Sequence, residues 1–512
     1  MRLKSFAFVS SLLGASALAP PSKRRVKTAS TTWRGKIESH ETFSHDSIDS
    51  LGYDWERIGN PKIQPKYPAK VYLPRTPEDV ADAVRETKQL GQELKVRSKG
   101  HSSNDLVLSD RGAVLLMQGM DQILDVDEQG LTATVQGGAI SALIDDHLAQ
   151  LGLGLPIIGD HRDITVGGFA SVGGISPASH RFGMFIDNVL ALQFVNWDGE
   201  IRRASPTENS EDFYSLLAGL GRHGVITEVT LRIIPIDKYR TIWVNDQQHF
   251  RSMDDFIAGT KPIIEEPGDV MMERGVWVDF VFPGGKHLGL GQFSAYKETS
   301  QTPVHKARNT TSYGVLHGMG LVAGNLPEKM DKALKYVGMT GVMLSPKYAS
   351  IKNIEFFTDK LLDSTVGDPT RMLIVLGPLD RYEQLFRSCW GLLDSYREEH
   401  GCFTFLSVYV KSIRSDYLAR DGQDRFCELM FYVGVHPDKM TPELLDEIVE
   451  KFDDIVIENN AYKYMHTRTS KDPAKRAKVD PNARHAERRW AAGNGTAPLS
   501  VGDTASMEQT PS

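Results

Sequence analysis

Two glycine-containing segments contain the side chains of this sequence that are best suited to bind a ligand or to react with it. The first is the loop Ser98-Lys99-Gly100-His101-Ser102, which follows the strand-like Leu94-Lys95-Val96. Its small residues leave backbone N–H groups exposed, so the loop could form a concavity for a pyrophosphate, and it presents one histidine. The second is Asp160-His161-Arg162-Asp163-Ile164-Thr165-Val166-Gly167-Gly168. Because glycine has no Cβ, this backbone can approach a planar cofactor closely or take a positive φ.

The two segments belong to an ordered series of motifs. The other members are Val135-Gln136-Gly137-Gly138-Ala139, the continuation Phe169-Ala170-Ser171-Val172-Gly173-Gly174, His180-Arg181-Phe182-Gly183, and Gly219-Leu220-Gly221-Arg222-His223-Gly224-Val225-Ile226-Thr227. In this order they resemble the FAD-binding domain of the vanillyl-alcohol oxidase and p-cresol methylhydroxylase superfamily of FAD-linked oxidoreductases. The resemblance covers about residues 64 to 236.

The resemblance implies an α+β fold, with a two-part FAD-binding domain of the p-cresol methylhydroxylase type and an α+β substrate (cap) domain. In this superfamily the histidine of a Gly-His-Ser segment often holds the flavin covalently through the 8α-methyl group, so His101 is the expected attachment point. The alternative is that His101 only donates a hydrogen bond to a phosphate or a carbonyl. The expected FAD-binding residues are Ser98, Lys99, Gly100, His101, Ser102, Asp160, Thr165, Gly167, Gly168, Ser171, Ile175 and Ile226.

A nicotinamide-binding fold can be weighed against this resemblance. It would need G-x-G-x-x-G at the start of a helix, with an acidic residue about twenty positions further on. Gly219 to Gly224 fit the bare pattern but lead into Val225 to Leu231, which reads as a strand. We therefore discount nicotinamide binding.

Size, charge and cysteines narrow the function classes. At 512 residues the chain is long enough for two or three domains, and its formal net charge of −7 leaves no basic footprint for nucleic acid. No internal run approaches the ~18 apolar residues that predict a membrane span. The three cysteines lack metal-ligand spacing, so we expect core thiols and no metal site.

Two carboxylates are the candidate catalytic residues. Flavin oxidation of a C–H bond next to O or N needs a group that accepts the O–H or N–H proton. The motifs are similar to those of cytokinin dehydrogenases, in which an aspartate six positions before the Val of Val-Gly-Gly acts at the amine, and Asp160 occupies that place. That family's substrate-positioning glutamate is matched by Glu273 in Glu273-Arg274-Gly275-Val276-Trp277-Val278. The alternative for Asp160 is a loop residue that caps local backbone N–H groups.

The resemblance leads to an FAD-dependent enzyme that oxidises a small-molecule alcohol or amine by hydride transfer, with dioxygen or another electron acceptor. Gly100 to Asp105 also resembles the Gly-His-Ser-x-x-Asp of aldonolactone oxidases, and Gly174 to Gly183 looks like flavin-dependent sterol side-chain reductases. A flavin-binding protein without turnover is an alternative of another class. Four cations could bind a substrate carboxylate, although we expect solvated positions for them: Lys99, Arg274, Lys411 and Arg468.

The predicted organisation follows from local patterns. The ranges are a signal peptide at 1–17, a basic leader or pro-segment at 18–45, the FAD-binding domain at 46–236, the cap at 237–455, a segment returning to the FAD domain at 456–490, and a disordered tail at 491–512. The leader predicts the secretory pathway, or a plastid of secondary origin if the source is an alga. We predict helices that begin after Thr76 and Thr441, a helix over 141–151, and a hairpin turn at Trp197-Asp198-Gly199.

Overall fold

A computed structural model describes residues 33–34, 51–55, 64–102, 105–237, 242–282, 286–299, 348–355 and 370–491. The predicted signal peptide and all of the predicted tail beyond residue 491 lie outside the described residues. Of the predicted basic leader, only Trp33–Arg34 is described, as a short strand paired antiparallel with Lys70–Tyr72.

The described strands form four sheets. In chain order they are β1 Trp33–Arg34, β2 Lys70–Tyr72, β3 Leu94–Arg97, β4 Ala113–Leu116, β5 Ile123–Asp127, β6 Thr132–Gln136, β7 Leu153–Gly154, β8 Val189–Val195, β9 Ile201–Ala204, β10 Val225–Arg232, β11 Ile234–Pro235, β12 Ile242–Phe250, β13 Val270–Phe282, β14 Lys286–Thr299, β15 Tyr348–Ser350, β16 Thr370–Pro378, β17 Phe403–Arg414, β18 Arg425–Val435 and β19 Tyr462–Lys463. The described α-helices are α1 Pro77–Gln89, α2 Ser141–Leu148, α3 Val166–Val172, α4 Ser179–Phe182, α5 Ser210–Leu216, α6 Met253–Glu265, α7 Ile351–Glu355, α8 Tyr382–His400, α9 Pro442–Glu458, α10 Pro473–Val479 and α11 Pro481–Ala491.

The first half of the chain contains three sheets: a short antiparallel pair of β7 and β11, and two larger sheets of different character. One has the order β1-β2-β4-β3, in which β4 pairs parallel with both β2 and β3. The other has the order β5-β6-β10-β8-β9 and is antiparallel throughout. Apolar side chains from α1, the parallel strands and β10 share one buried cluster, so the two sheets pack as one unit.

The second half is built on one antiparallel sheet with the order β15-β12-β14-β13-β17-β18-β16-β19. Helices α6, α8 and α9 cover one face of this sheet and share a buried apolar cluster with it. Side chains from the opposite face, such as Ile374 and Ile413, join the core of the five-stranded sheet instead. The fold is therefore mixed α and β, and the FAD-domain motifs face the eight-stranded sheet.

Local sequence signals set several element ends. Thr76 caps α1, with Asp79 completing a capping box, and Thr441 caps α9. The helix predicted over 141–151 ends its α-helical part at Leu148 and continues as a 3₁₀ turn to Leu151. The hairpin turn lies between β8 and β9 as predicted. Helix α1 ends at Gln89, and Leu90 is 56% exposed because it lies just past the last turn.

The C-terminal segment contacts both halves of the molecule. Strand β19 pairs with β16 at the edge of the eight-stranded sheet. Further on, Asp480 Oδ2 accepts a hydrogen bond from Arg222 at 2.7 Å, and Asn482 Nδ2 donates to the carbonyl of Leu217 at 2.8 Å. These contacts fix the end of the described chain against the first-half domain.

Candidate functional site

A cavity of about 290 Å³ lies where the first-half motifs meet the eight-stranded sheet. One wall comes from the loop that follows β3, the segment from Gly159 to Ile175 and the start of β10. The other wall comes from β16, β17, β18 and the segment after β19. All twelve predicted FAD-binding residues line this one cavity: Ser98, Lys99, Gly100, His101, Ser102, Asp160, Thr165, Gly167, Gly168, Ser171, Ile175 and Ile226.

Close backbone packing builds the floor of the cavity. The N–H of Gly167 donates to the carbonyl of Gly137 at 2.8 Å, and the N–H of Gly137 donates to the carbonyl of Thr227 at 2.8 Å. A Cβ on Gly167 would lie 2.7 Å from that same Gly137 oxygen. Glycine is therefore required at position 167 because three chain segments meet there without room for a side chain.

The loop after β3 fits the anion-binding part of a dinucleotide. Gly100 has a φ of +72°, which turns the chain in a way that side chains rarely allow. Ser102 Oγ is buried and has no hydrogen-bond partner among the described residues. A buried hydroxyl on a cavity-lining loop is satisfied when a phosphate or ribose oxygen binds beside it. The residues present thus fit FAD, with Ser98 to Ser102 as the polar cradle.

His101 lies in an aromatic cluster at one end of the cavity. Its ring stacks on Trp55, with centroids 4.8 Å apart and an interplanar angle of 26°. The His161 ring lies 4.3 Å from the His101 ring, and the N–H of Trp55 donates to the carbonyl of Ser102 at 3.0 Å. Two rings therefore restrict the orientation of the His101 imidazole. Trp55 precedes every motif, so no sequence signal indicated it.

The other histidines near the motifs have structural contacts. His180 Nε2 lies 2.8 Å from the carbonyl oxygen of Val270, which joins α4 to β13. Burial lowers the pKa of His223 to about 4, with the charge of Arg222 acting in the same direction. Neither residue lines the cavity.

Asp160 reaches the cavity from the flavin-domain side and meets two cations of the eight-stranded sheet. Lys411 Nζ lies 2.7 Å from Asp160 Oδ2, and Arg274 Nη2 lies 3.4 Å from Asp160 Oδ1. Burial alone would raise the pKa of Asp160, but the two positive charges outweigh it and hold that pKa below its usual value. Asp160 is therefore ionised at neutral pH, and its carboxylate contacts cations rather than capping a local turn.

Strand register places these cations side by side. Gly275 on β13 pairs with Val410 on β17, so Arg274 and Lys411 are neighbours across the two strands. Both side chains are buried, at 6% and 4% exposed. The expectation of solvated positions is wrong for these two residues. The local sequence of a strand does not show which face of its sheet will be covered, so the burial of a single basic residue could not be predicted.

Glu428 completes the charged group. It pairs directly with Lys411 across β17 and β18, and its Oε2 lies 3.2 Å from Lys411 Nζ. Burial raises the pKa of Glu428, the Lys411 charge opposes that rise and the Asp160 charge adds to it. Burial lowers the pKa of Lys411, but the charges on Asp160 and Glu428 outweigh it and raise that pKa overall. Asp160, Lys411 and Glu428 thus line one side of the cavity, and Arg274 contacts Asp160 from behind that wall.

Glu273, the second candidate catalytic residue, lies elsewhere. Its side chain is fully buried and accepts a hydrogen bond from the backbone N–H of Ser412. Adjacent residues of a strand point to opposite faces, so Glu273 faces away from Arg274. It is not among the residues that line the cavity. The structure therefore does not bring Glu273 together with Asp160.

Several cavity residues escaped sequence reasoning. Tyr464 and His466 line it from the segment after β19, and the Tyr464 hydroxyl accepts a hydrogen bond from the N–H of Gly174 at 2.9 Å. Burial lowers the pKa of His466 to about 4, so its ring is neutral at physiological pH. Ile374 and Met430 add apolar surface from β16 and β18. These residues sit in ordinary strand and loop sequences, which offered no motif.

Other sequence expectations can be placed in the described part of the chain. All three cysteines are buried free thiols, and burial raises the pKa of each. Gly219 to Gly224 leads into strand β10, not into a helix. Among the described residues no cluster of three or more His, Cys, Asp and Glu could hold a metal ion. None of the described helices is long and apolar enough to cross a bilayer.

Comparison with known proteins agrees with this geometry. Residues 68–205 match the family model described as FAD binding domain. The chain is 27% identical over 306 residues to cytokinin dehydrogenase 3 of Arabidopsis thaliana, covering 55% of this chain and 58% of that protein. It is 29% identical to L-gulono-1,4-lactone dehydrogenase of Mycobacterium tuberculosis, over 38% of this chain and 44% of that protein. It is 31% identical to (R)-6-hydroxynicotine oxidase of Paenarthrobacter nicotinovorans, over 31% of this chain and 34% of that protein.

These matches span roughly a third to three fifths of each relative's own length. The family match includes segments that line the cavity, because residues 68–205 contain the loop after β3, Asp160 and the glycines of α3. The ordered motifs, the single cavity that they line and the family match lead to the same assignment. Residues 68–205 are an FAD-binding domain, and the chain is similar over part of its length to FAD-linked oxidases and dehydrogenases.

Proposed function

We propose that this protein oxidises a small-molecule amine or alcohol at the cavity described above, with FAD as the hydride acceptor and dioxygen or another acceptor reoxidising it. When bound, FAD supplies a two-electron sink for the hydride. The single observation that carries the proposal is that the twelve predicted FAD-binding residues and the buried charged group face the same cavity. A carrier without turnover would have no need of an ionised carboxylate there.

Asp160 is the proposed acceptor of the substrate N–H or O–H proton. Its carboxylate stays ionised because Lys411 and Arg274 hold its pKa below the usual value, after overcoming the opposing effect of burial. The Asp160 side chain is 22% exposed, whereas those of its partners Arg274 and Lys411 are buried. A substrate in the cavity can therefore reach the Asp160 carboxylate. Apolar neighbours such as Ile374 and Met430 exclude water from the same wall.

The matched relatives favour an amine over a sugar lactone. The match to a cytokinin dehydrogenase extends over 306 residues, whereas the match to the gulonolactone dehydrogenase covers 201. The hydroxynicotine oxidase also has a nitrogen-containing substrate in its name. A sugar lactone is the second candidate because two relatives named for gulonolactones match this chain at 29% and 30% identity.

We also propose that His101 holds the flavin covalently. The support is its position on the cavity wall and its ring, which Trp55 and His161 hold from two sides. The test is acid denaturation of the purified yellow protein. Colour that stays with the polypeptide and is found on the tryptic peptide containing His101 supports the link. Release of the colour as free FAD would be consistent with the FAD-binding fold but would contradict the covalent link.

The activity is tested by anaerobic mixing with a panel of amines, alcohols and sugar lactones while the flavin absorbance is recorded. Bleaching by an amine is expected. Asp160→Asn should keep the yellow colour and slow bleaching by about 10²-fold or more, the usual contribution of a positioned base. Failure of every class to bleach a flavin-loaded wild-type protein would contradict an enzymatic role and favour a flavin carrier.

For localisation, we propose that residues 1–17 direct entry into the secretory pathway, or into a plastid of secondary origin if the source is an alga. Arg2 and Lys4 before an apolar stretch, with Ala15-Ser16-Ala17 after it, support this proposal. N-terminal sequencing of protein isolated from the native cell should begin after Ala17. A mature protein that retains Met1 would contradict it.

A further inference from the structure

We propose that the proton taken up by Asp160 passes through Lys411 to Glu428, which makes Glu428 the terminal proton acceptor of the site. This inference rests on the proposed function and adds two residues to it. The three side chains form a continuous line, with Lys411 Nζ 2.7 Å from Asp160 Oδ2 and 3.2 Å from Glu428 Oε2. All three line the cavity.

The two carboxylates differ in how many of their oxygens are engaged. Asp160 has one oxygen in contact with Lys411 and the other in contact with Arg274. Glu428 Oε2 is buried and has a weaker contact, at 3.2 Å from Lys411 Nζ, with no other partner among the described residues. A poorly satisfied buried oxygen is costly, and a proton on it allows it to donate. Glu428 therefore has room for the proton that Asp160 lacks.

The step balances without an added reagent. The substrate's N–H or O–H bond breaks and an O–H bond forms on Asp160. As Asp160 gives this proton to Lys411 Nζ, Lys411 gives one of its own to Glu428 Oε2. Lys411 keeps its positive charge, and the negative charge moves from Glu428 back to Asp160. No electrons move in the relay, because the electron pair leaves with the hydride.

The electrostatics give the transfer its direction. Burial raises the pKa of Glu428, whereas two cations, working against burial, lower the pKa of Asp160. A proton therefore moves downhill from Asp160 to Glu428. The charged and titratable groups that interact with Glu428 are Lys411 on β17, Asp160 in the loop before α3, Tyr464 after β19 and Cys427 on β18.

The relay also makes a role for lysine that arginine cannot fill. A lysine ammonium can pass on a proton as it receives another, whereas an arginine guanidinium does not give up its proton in proteins. Lys411→Arg keeps the positive charge between the carboxylates. If Lys411 only orients Asp160 electrostatically, this variant should reduce flavin at close to the wild-type rate. The relay predicts a loss of about 10²-fold.

The decisive experiment is infrared difference spectroscopy on the flavin-loaded protein without substrate, titrated from neutral to acid pH. A carboxylic-acid C=O band that vanishes in Glu428→Gln should appear at a higher pH than the band that vanishes in Asp160→Asn. Asp279→Asn is the matched control, since Asp279 is a nearly buried carboxylate paired with Arg397 at 2.8 Å but outside the cavity. That control should leave both bands in place.

The opposite order, with the Asp160 band appearing at the higher pH, overturns the relay. Because the titration uses no substrate, it decides the relay even if no compound bleaches the flavin, which would be the separate failure of the proposed function. With an active substrate, Glu428→Gln should lower the rate of flavin reduction by about 10²-fold and alter its pH profile. A wild-type rate and an unchanged profile in that variant also overturn the relay.

Discussion

Removing Lys411 should leave an uncompensated charge in the site, and its size can be worked out from the charge balance. Asp160 and Glu428 contribute two negative charges, and Lys411 and Arg274 contribute two positive charges, so the group is neutral. Lys411→Met leaves one excess negative charge, and Glu428→Gln leaves one excess positive charge. The double variant is neutral again, with Asp160 and Arg274 still paired.

The magnitude follows from burial. Lys411 and Glu428 are each 4% exposed, so solvent screens their interaction little. Breaking a buried ion pair by removing one partner costs about 3–5 kcal/mol, which is the expected loss of unfolding free energy for Lys411→Met. The double variant should be less destabilised than the sum of the two single variants, with a coupling of about 1–3 kcal/mol.

The assay is urea unfolding at pH 7, followed by circular dichroism and tryptophan fluorescence on the wild type, both single variants and the double variant. A second cycle on the exposed pair Arg387 and Asp254, whose side chains are 42% and 77% exposed, provides the control. Its coupling should be about 0.2–1 kcal/mol. If the Lys411 and Glu428 changes are additive within about 0.5 kcal/mol, the charge argument for the site is refuted.

Three further predictions concern the buried carboxyl of Asp187, the close backbone contact at Gly167 and the three buried cysteines. Burial raises the pKa of Asp187 from 3.8 to about 6, so its stabilising contribution is present below pH 3.8 and is lost as the pH rises through about 6. At ~1.4 kcal/mol per pKa unit, Asp187→Asn should reduce the pH dependence of the unfolding free energy by about 3 kcal/mol. An unchanged pH dependence in urea unfolding would contradict the shift. Gly167→Ala brings a Cβ within 2.7 Å of the Gly137 oxygen, so it should lower FAD retention and reduce the unfolding free energy by about 1–3 kcal/mol. Gly391→Ala is the control, because a Cβ at that position of helix α8 has nothing within 4 Å and should be neutral or stabilising. Equal FAD content in the two variants would be evidence against the close approach. All three cysteines should resist a thiol reagent in the native protein and react after denaturation, since burial raises the pKa of each thiol; rapid native labelling would show that one is accessible.

The flavin-domain half of the site could be predicted from local sequence patterns. Its residues are close along the chain or lie in motifs whose glycines are demanded by local backbone packing, as Gly167 against Gly137 shows. Helix caps such as Thr76 are also local, because the cap hydroxyl bonds a backbone N–H three residues away. Such short-range constraints leave a readable pattern.

The half of the site on the eight-stranded sheet depends on long-range strand pairing and could not be predicted in this way. Lys411 lies 251 positions from Asp160, and Glu428 meets Lys411 through strand pairing in a sheet whose register no local pattern fixes. The same alternation turned Glu273 to the opposite face, although its motif resembled that of a substrate-positioning residue. A buried charge is stable only beside its partner, so the identity of that partner depends on which strands pair and which face is covered.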